Sequence, residues 1–149
     1  MANTQSIVTS FKVEQLNGIH ALGTSVVRAA TTADSFKAAL YSATATIGAA
    51  TTAYSATNEV TGTGYTAGGV AFTWVAPAST GTTAFTTPSA SFSWTGLTAT
   101  AFDCVLLYNS TQSNKAVAAY TFGSQTVTAG NFSLTMPTND STNGLLRIA

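Results

Sequence analysis

Charged side chains are what this sequence most lacks. Only ten of the 149 residues are Asp, Glu, Lys or Arg, which is 7% of the chain, and their charges cancel. A typical soluble domain carries about 25% charged residues, and a neutral surface promotes association between molecules. We therefore expect this protein to work as part of an assembly rather than as an isolated monomer.

Histidine and cysteine are also scarce, with His20 and Cys104 as the only examples. A single cysteine excludes an intrachain disulfide, and one histidine with one cysteine cannot form a zinc site. Cys104 lies in an apolar run, which predicts a buried small side chain rather than a nucleophile, because a thiol needs a base and His20 is the only candidate. His20 itself is interpreted as an ordinary structural or surface histidine.

Motifs that would indicate catalysis or ligand binding are absent from the sequence. The five acidic residues are far apart, no nucleophile elbow or calcium loop is present, and no basic footprint indicates nucleic acid. We predict no catalytic residue, no metal ligand and no cofactor, and hence a protein that is not an enzyme. The N-terminus does not have the pattern of a secretory signal, and no apolar run is long enough for a membrane helix, so we expect no membrane partner.

The residues that are abundant favour β-structure. Threonine favours strands, while glycine, serine and asparagine favour turns, and eight Phe, five Tyr and two Trp argue against disorder. The pattern of six to eight short strands predicts one all-β domain, a β-sandwich or a jelly-roll-like barrel, over residues 31–149. Residues 1–30 are assigned to an N-terminal arm or short helix. The helix is predicted over residues 10–16, with a strand as the alternative.

Alternating apolar side chains locate the predicted strands. These strands lie in residues 35–42, 70–75, 85–94, 101–108, 116–122, 125–128, 132–136 and 145–149. Residues 101–108 are apolar on both faces, which predicts a central strand, and their pairing with residues 116–122 predicts a hairpin. In the last strand, Leu146 and Ile148 are predicted to face inward.

Glycines are concentrated between residues 62 and 69. Gly62, Gly64, Gly68 and Gly69 surround Tyr65, and together they predict tight turns whose backbone passes close to some other group, which the sequence does not identify. A phosphate-binding loop is the alternative for this segment, but the lysine of such a loop is missing and no helix pattern follows. We therefore interpret the segment as a glycine turn between β-elements.

Trp74 and Trp94 stand in strand patterns and have two interpretations. Aromatic side chains can line a sugar-binding face of a β-sandwich, and this interpretation requires an exposed tryptophan. Alternation within strands favours burial in the core instead.

Four segments stand out from the Thr- and Ala-rich remainder: residues 16–20 (LNGIH), 35–41 (SFKAALY), 51–54 (TTAY) and 58–69 (NEVTGTGYTAGG). They resemble a family of small structural proteins of tailed bacteriophages, in which an "fKvaLY" strand precedes a "TtaY…EV.GtGYtaGG" segment. Aromatic strands follow in similar order, so the resemblance covers most of residues 10–125. It implies a component of the virion, made in the host cytoplasm and without enzymatic activity.

Within that family, the resemblance implies first a capsid decoration (cement) protein. The alternatives are a tail, adaptor or baseplate protein and a carbohydrate-binding host-attachment module. The implied partners are the major capsid protein or other virion proteins, and further copies of the chain in a dimer or trimer. A decoration protein stabilises a shell by burying surface across subunit junctions, on the usual scale of ~1,600 Å² for a specific interface.

The N-terminal arm supplies the candidate interface residues. These are the apolar residues Ile7, Val8, Phe11, Val26 and Val27. The alternative is that the same residues belong to the core of the domain itself.

Overall fold

The computed structural model describes residues 3–8, 10–11, 15, 19–23, 33–81 and 83–148. Within these residues the chain forms eight strands: β1 (Ser6–Ile7), β2 (Phe36–Ser42), β3 (Val70–Phe72), β4 (Ala78–Thr80), β5 (Thr83–Thr86), β6 (Phe92–Asn109), β7 (Lys115–Leu134) and β8 (Leu146–Ile148). They build two antiparallel sheets, with orders β1-β7-β6-β2-β3 and β4-β5-β8. The all-β prediction is confirmed in its sandwich-like, single-domain form. Neither sheet closes into a barrel.

A long hairpin of β6 and β7 dominates the larger sheet. The two strands contain 18 and 20 residues and pair from Phe92↔Leu134 to Asn109↔Lys115. The predicted hairpin between residues 101–108 and 116–122 is therefore confirmed. The prediction of separate strands on either side of it was wrong, because residues 92–94 continue into β6 and residues 125–134 belong to β7.

Register shifts bend this hairpin at five places. Three residues of the bent region have left-handed backbone conformations: Gly96 (φ 62°), Ala101 (φ 49°) and Ala129 (φ 48°). A bulge leaves its extra residue without a ladder partner, and here a side-chain oxygen of the opposite strand accepts each N–H instead. The acceptors are Asn131 Oδ1 for Gly96 at 3.3 Å, Thr126 Oγ1 for Ala101 at 3.4 Å and Thr98 Oγ1 for Ala129 at 2.9 Å.

The half of the hairpin next to its turn forms the centre of the core. Residues 104–109 of β6 are all buried, so the central position predicted for residues 101–108 is confirmed. β2 lies between β3 and β6, and its side chains are buried on both faces except for the half-buried Lys37 and Ser42. Leu146 of the smaller sheet packs into the same core cluster.

The last strand differs in part from its prediction. Leu146 is buried as predicted, but Ile148 is 56% exposed, so its inward orientation was wrong. The two residues share a face of β8 because strand side chains alternate. β8 is an edge strand that pairs only with β5 among the described strands, and the core ends before Ile148.

The N-terminal segment contains helical residues. Ser10, Phe11 and Gln15 have helical conformation, which agrees with the helix predicted for residues 10–16 and not with the strand alternative. The other residues of that predicted helix lie outside the described part of the chain.

Candidate functional site

Glu59 is the centre of a buried cluster of hydrogen bonds. Its side chain is 8% exposed and accepts three hydrogen bonds of 2.7 Å: from the hydroxyls of Tyr54 and Tyr65 and from the backbone N–H of Gly68. Hydrogen bonds to an ionised carboxylate are short and stronger than neutral ones. Because Glu59 also pairs with Tyr41 of β2 in an isolated bridge, it ties residues 62–69 to the larger sheet.

The neighbouring tyrosines form a second layer around Glu59. The Tyr65 hydroxyl also accepts the backbone N–H of Leu40 at 3.0 Å. Tyr108 donates to the carbonyl of Gly68 at 2.8 Å, and its ring stacks on that of Tyr54 with centroids 4.7 Å apart. Both sides of the glycine segment are thus fixed to strands of the core.

Burial raises the pKa values of these phenols. Desolvation, followed by the hydrogen bond to Glu59, raises the pKa of Tyr54 to about 12 and raises the pKa of Tyr65 from the same two causes. Desolvation is also the main reason that the pKa values of Tyr41 and Tyr108 are raised. At neutral pH these hydroxyls therefore act as hydrogen-bond donors, and the cluster works as a structural anchor.

The glycine segment adopts the tight turns that its composition predicts. The four glycines have positive φ values: 144° at Gly62, 76° at Gly64, 87° at Gly68 and 75° at Gly69. A side chain at Gly69 would collide with the carbonyl of Ala38. Only glycine adopts such conformations at no steric cost, so the sequence of this loop is dictated by its path.

This loop covers one edge of β6. The N–H of Thr98 donates to the carbonyl of Thr63 at 2.8 Å. A Cβ at Gly64 would lie 2.5 Å from the carbonyl oxygen of Gly96, and one at Gly62 would collide with the carbonyl of Thr98. The close approach predicted from the glycines is thus an approach to the protein's own strand.

His20 belongs to a second buried cluster, at the turn between β6 and β7. The side chain of Asn109 is fully buried, and its Nδ2 donates to Asp34 Oδ2 at 2.8 Å and lies 3.1 Å from His20 Nδ1. Its Oδ1 accepts the backbone N–H groups of Thr111 and Gln112, both at 3.1 Å. Asn109 therefore joins the N-terminal segment to the hairpin turn, and His20 is a buried structural residue.

Cys104 is fully buried, as the sequence predicts. Burial, with a smaller contribution from Asp103, raises the pKa of its thiol to about 12, so the thiol is protonated at neutral pH. Among the described residues, no group of three or more His, Cys, Asp or Glu side chains is arranged to hold a metal ion. The same part of the chain contains no helix long and apolar enough to cross a membrane.

The candidate interface residues of the arm lie in different environments. Val8 and Phe11 are 0% and 1% exposed, so in the single chain they belong to its own core. Ile7 is half-buried and pairs with Ala118 of β7. Val26 and Val27 lie outside the described residues.

Both tryptophans are buried. Trp74 and Trp94 are 5% and 3% exposed. Trp74 packs edge-on against Phe36, and Trp94 packs against Phe132, with ring centroids 5.8 Å apart in each pair. The core interpretation is confirmed, and neither side chain offers the exposed face that sugar binding requires.

The main surface cavities of the described residues are lined by few side chains that could bind or react with a ligand. A cleft of about 570 Å³ is formed by the loop of residues 45–58 and Thr4, without an ionisable side chain. A second cleft of about 750 Å³ includes Asp34, whose carboxylate already accepts hydrogen bonds from Asn109, Ala21 and Gln112. A smaller groove between Phe11 and Ile148 is mostly apolar.

The distal hairpin is the part of β6 and β7 that lies away from their shared turn, residues 92–102 and 122–134. Its outer face is rich in hydroxyl groups and has no charge. No charged residue occurs in residues 92–102 or 116–139. The exposed polar side chains of this face are Ser93, Thr95, Thr98, Thr100, Thr126, Thr128, Asn131 and Ser133.

The glycines and Tyr65 are recognisable in the sequence, whereas the role of Glu59 was not predicted. A usable signal was present, because Glu59 is one of only five acidic residues and lies three positions before Gly62, the first residue of the glycine segment. An isolated acid at the start of a turn-rich segment indicates an acceptor for nearby donors.

Comparisons with known proteins identified no relative. No protein-family model matches the chain, and neither a curated protein nor a solved structure matches it.

Proposed function

We propose that this protein is a structural component of a tailed-bacteriophage virion, and more specifically a decoration protein bound to the capsid surface. The first support is the resemblance of residues 58–69 to the glycine-tyrosine segment of small phage structural proteins. The second is that this segment has a structural task in the fold, since Glu59 and its tyrosine donors hold it across β6.

The observation that carries the proposal is the uncharged, hydroxyl-rich outer face of the distal hairpin. Hydroxyl and amide groups can bond to a neighbouring protein without the cost of desolvating charges. Strands of about ten residues present a face roughly 33 Å long. A face of this kind suits a broad contact with another protein better than the binding of a small ligand, which requires an enclosing pocket.

A decoration protein of this kind stabilises the shell by mass action. Each copy that bridges two capsid subunits buries surface, and the shell must break these contacts before it opens. Many copies act together because the lattice presents many sites, which multiplies the effect of a modest individual affinity.

A tail, adaptor or baseplate protein is the second candidate, because the same neutral face would serve in any of these assemblies. We do not propose the host-attachment module, because both tryptophans that would support sugar binding are buried.

Binding to undecorated capsids tests the proposal. The purified protein should cosediment with such capsids saturably and raise the temperature at which they open. The variants Thr95→Glu and Thr128→Glu add a charge to the hydroxyl-rich face and should weaken binding about tenfold or more, since an unpaired charge must be desolvated. The matched control is Thr52→Glu, a position that is also exposed but lies at the opposite end of the hairpin, where the carbonyl of Thr52 accepts the N–H of Ala116.

The outcomes separate the candidates. Absence of binding to capsids, or equal loss in all three variants, would contradict the decoration role. Immunogold labelling confined to tails would favour the second candidate.

A further inference from the structure

Among the described residues, the rest of the chain covers the β6 edge of the distal hairpin but not its β7 edge. β2 pairs with β6 only from Phe102 onward, and β1 reaches β7 only at Ala118 and Ala119. On the β6 side, the glycine segment covers the edge through the Thr98–Thr63 hydrogen bond. On the β7 side, no residue in the described part of the chain, outside the hairpin itself, makes a backbone hydrogen bond to residues 120–134.

The open edge of β7 lacks most of the features that usually prevent edge pairing. Native proteins protect such edges with charged side chains, prolines or bulges. Residues 116–136 contain neither a charge nor a proline. One bulge includes Ala129 and another lies between residues 121 and 125, but residues 132–134 pair regularly with residues 92–94.

Apolar side chains accompany this regular run. Phe132, Leu134 and the following Met136 pack against the core and remain half-buried. A strand added at the edge would cover their accessible parts, and burial of apolar surface contributes ~25 cal/mol per Å².

We infer that the edge of β7, residues 122–134, pairs antiparallel with the same segment of a second copy of this chain about a twofold axis. This inference goes beyond the proposed function and does not depend on capsid binding. It names a second copy because an isologous contact requires self-complementarity. An uncharged strand edge meets that requirement, since two identical antiparallel edges satisfy each other's N–H and C=O groups without like-charge repulsion.

The size of the edge suits a weak dimer. Residues 122–134 extend about 40 Å, and a sheet with its side chains is ~10 Å thick. With both partners counted, the contact covers roughly 800 Å², which is the size of a weak or transient interface.

A pair of matched serine variants tests the inference. Ser133 on β7 and Ser93 on β6 are directly opposite each other in the hairpin, and both are exposed, so lysine at either position adds the same charge. Ser133→Lys lies on the open edge and should weaken self-association at least about tenfold, whereas Ser93→Lys should behave as the wild type. Sedimentation equilibrium of the full chain measures both effects.

Hydrogen exchange of the wild-type protein gives a second test that needs no variant. Amides of residues 130–134 that do not bond to β6 should exchange fast in dilute solution and slowly at about 100 µM, where an association with a Kd of ~10 µM is mostly complete. A wild type that stays monomeric at that concentration, or equal effects of the two lysine variants, would overturn the inference.

The two proposals fail in distinguishable ways. Protection of the β7 edge only after addition of capsids would make the capsid protein its occupant and refute the second copy. A stable dimer that does not bind capsids would refute the decoration role and leave the β7 inference standing.

Discussion

Replacing Glu59 with alanine removes the acceptor that holds the glycine segment. Three donors would lose their partner: the hydroxyls of Tyr54 and Tyr65 and the N–H of Gly68. A buried donor without an acceptor costs about 1–3 kcal/mol. The three costs do not add fully, because the groups are neighbours that relax together, and Tyr54 is partly accessible to water. We expect a total loss of about 3–5 kcal/mol in the free energy of unfolding.

This loss is large on the scale of the whole protein. Domains unfold with about 5–15 kcal/mol, so a loss of about 3–5 kcal/mol in Glu59→Ala should remove a fifth or more of the stability. For a chain of this length ~1 kcal/mol corresponds to about 2–4 °C in Tm, which predicts a decrease of roughly 6–20 °C. Urea unfolding followed by circular dichroism measures the change, with the m-value as a check that the unfolded state is unaltered.

Glu59→Gln and Tyr65→Phe separate the charge from the shape of the side chain. Glutamine keeps one acceptor oxygen, so it should lose less stability than alanine does. A double-mutant cycle between the two positions should give a coupling energy of about 1–3 kcal/mol, since Tyr65 donates directly to Glu59. A loss below about 1 kcal/mol for Glu59→Ala, or a coupling near zero, would refute the anchoring role.

Three further predictions follow from the same structure. Ala101→Gly and Ala129→Gly should each stabilise the protein by about 0.5–1 kcal/mol, because both alanines have positive φ. The control is Ala99→Gly, in the paired part of β6, which should destabilise the protein. A loss of stability in all three variants would contradict the assigned bulges. All five tyrosines have raised pKa values, chiefly through burial. Their contribution to the free energy of unfolding should therefore be fully present below pH 10 and decrease as the pH rises toward about 12. The reason is that the phenols ionise first in the unfolded chain. Tyrosinate absorbance should then appear together with loss of the β-sheet signal, and tyrosines that ionise near pH 10 in the folded protein would contradict this. Trp74 and Trp94 are buried, so iodide should quench their fluorescence only after unfolding. Quenching in the native protein would contradict their burial.

The sequence predicted where most strands lie, but not how long the central ones are. Alternation of apolar residues identified β2, the centre of β6 and the start of β7. A bulge inserts one residue and reverses the alternation beyond it, so the pattern breaks at Gly96, Ala101 and Ala129 although the strands continue. The breaks therefore resembled strand ends.

The candidate site was predictable only in its local part. Glycines with aromatic neighbours indicate a tight turn, and the turn was found. The contacts of the turn could not be predicted, because its partners Leu40, Gly96 and Tyr108 are distant in sequence from residues 62–69. Those contacts follow from the pairing of β2 with β6, which no local pattern specifies.

The shortage of charge is greater at the surface than the composition suggests. Glu59 is buried under its tyrosines, Asp34 accepts the buried amide of Asn109, and Asp103 accepts Asn3 Nδ2 at 2.6 Å. Three of the five acids are thus committed to hydrogen bonds that hold loops and the N-terminal segment on the larger sheet. None of these acids lies in residues 92–102 or 116–139, so the distal hairpin has a neutral face and an open edge. Association through that hairpin is the physical consequence that both proposals test.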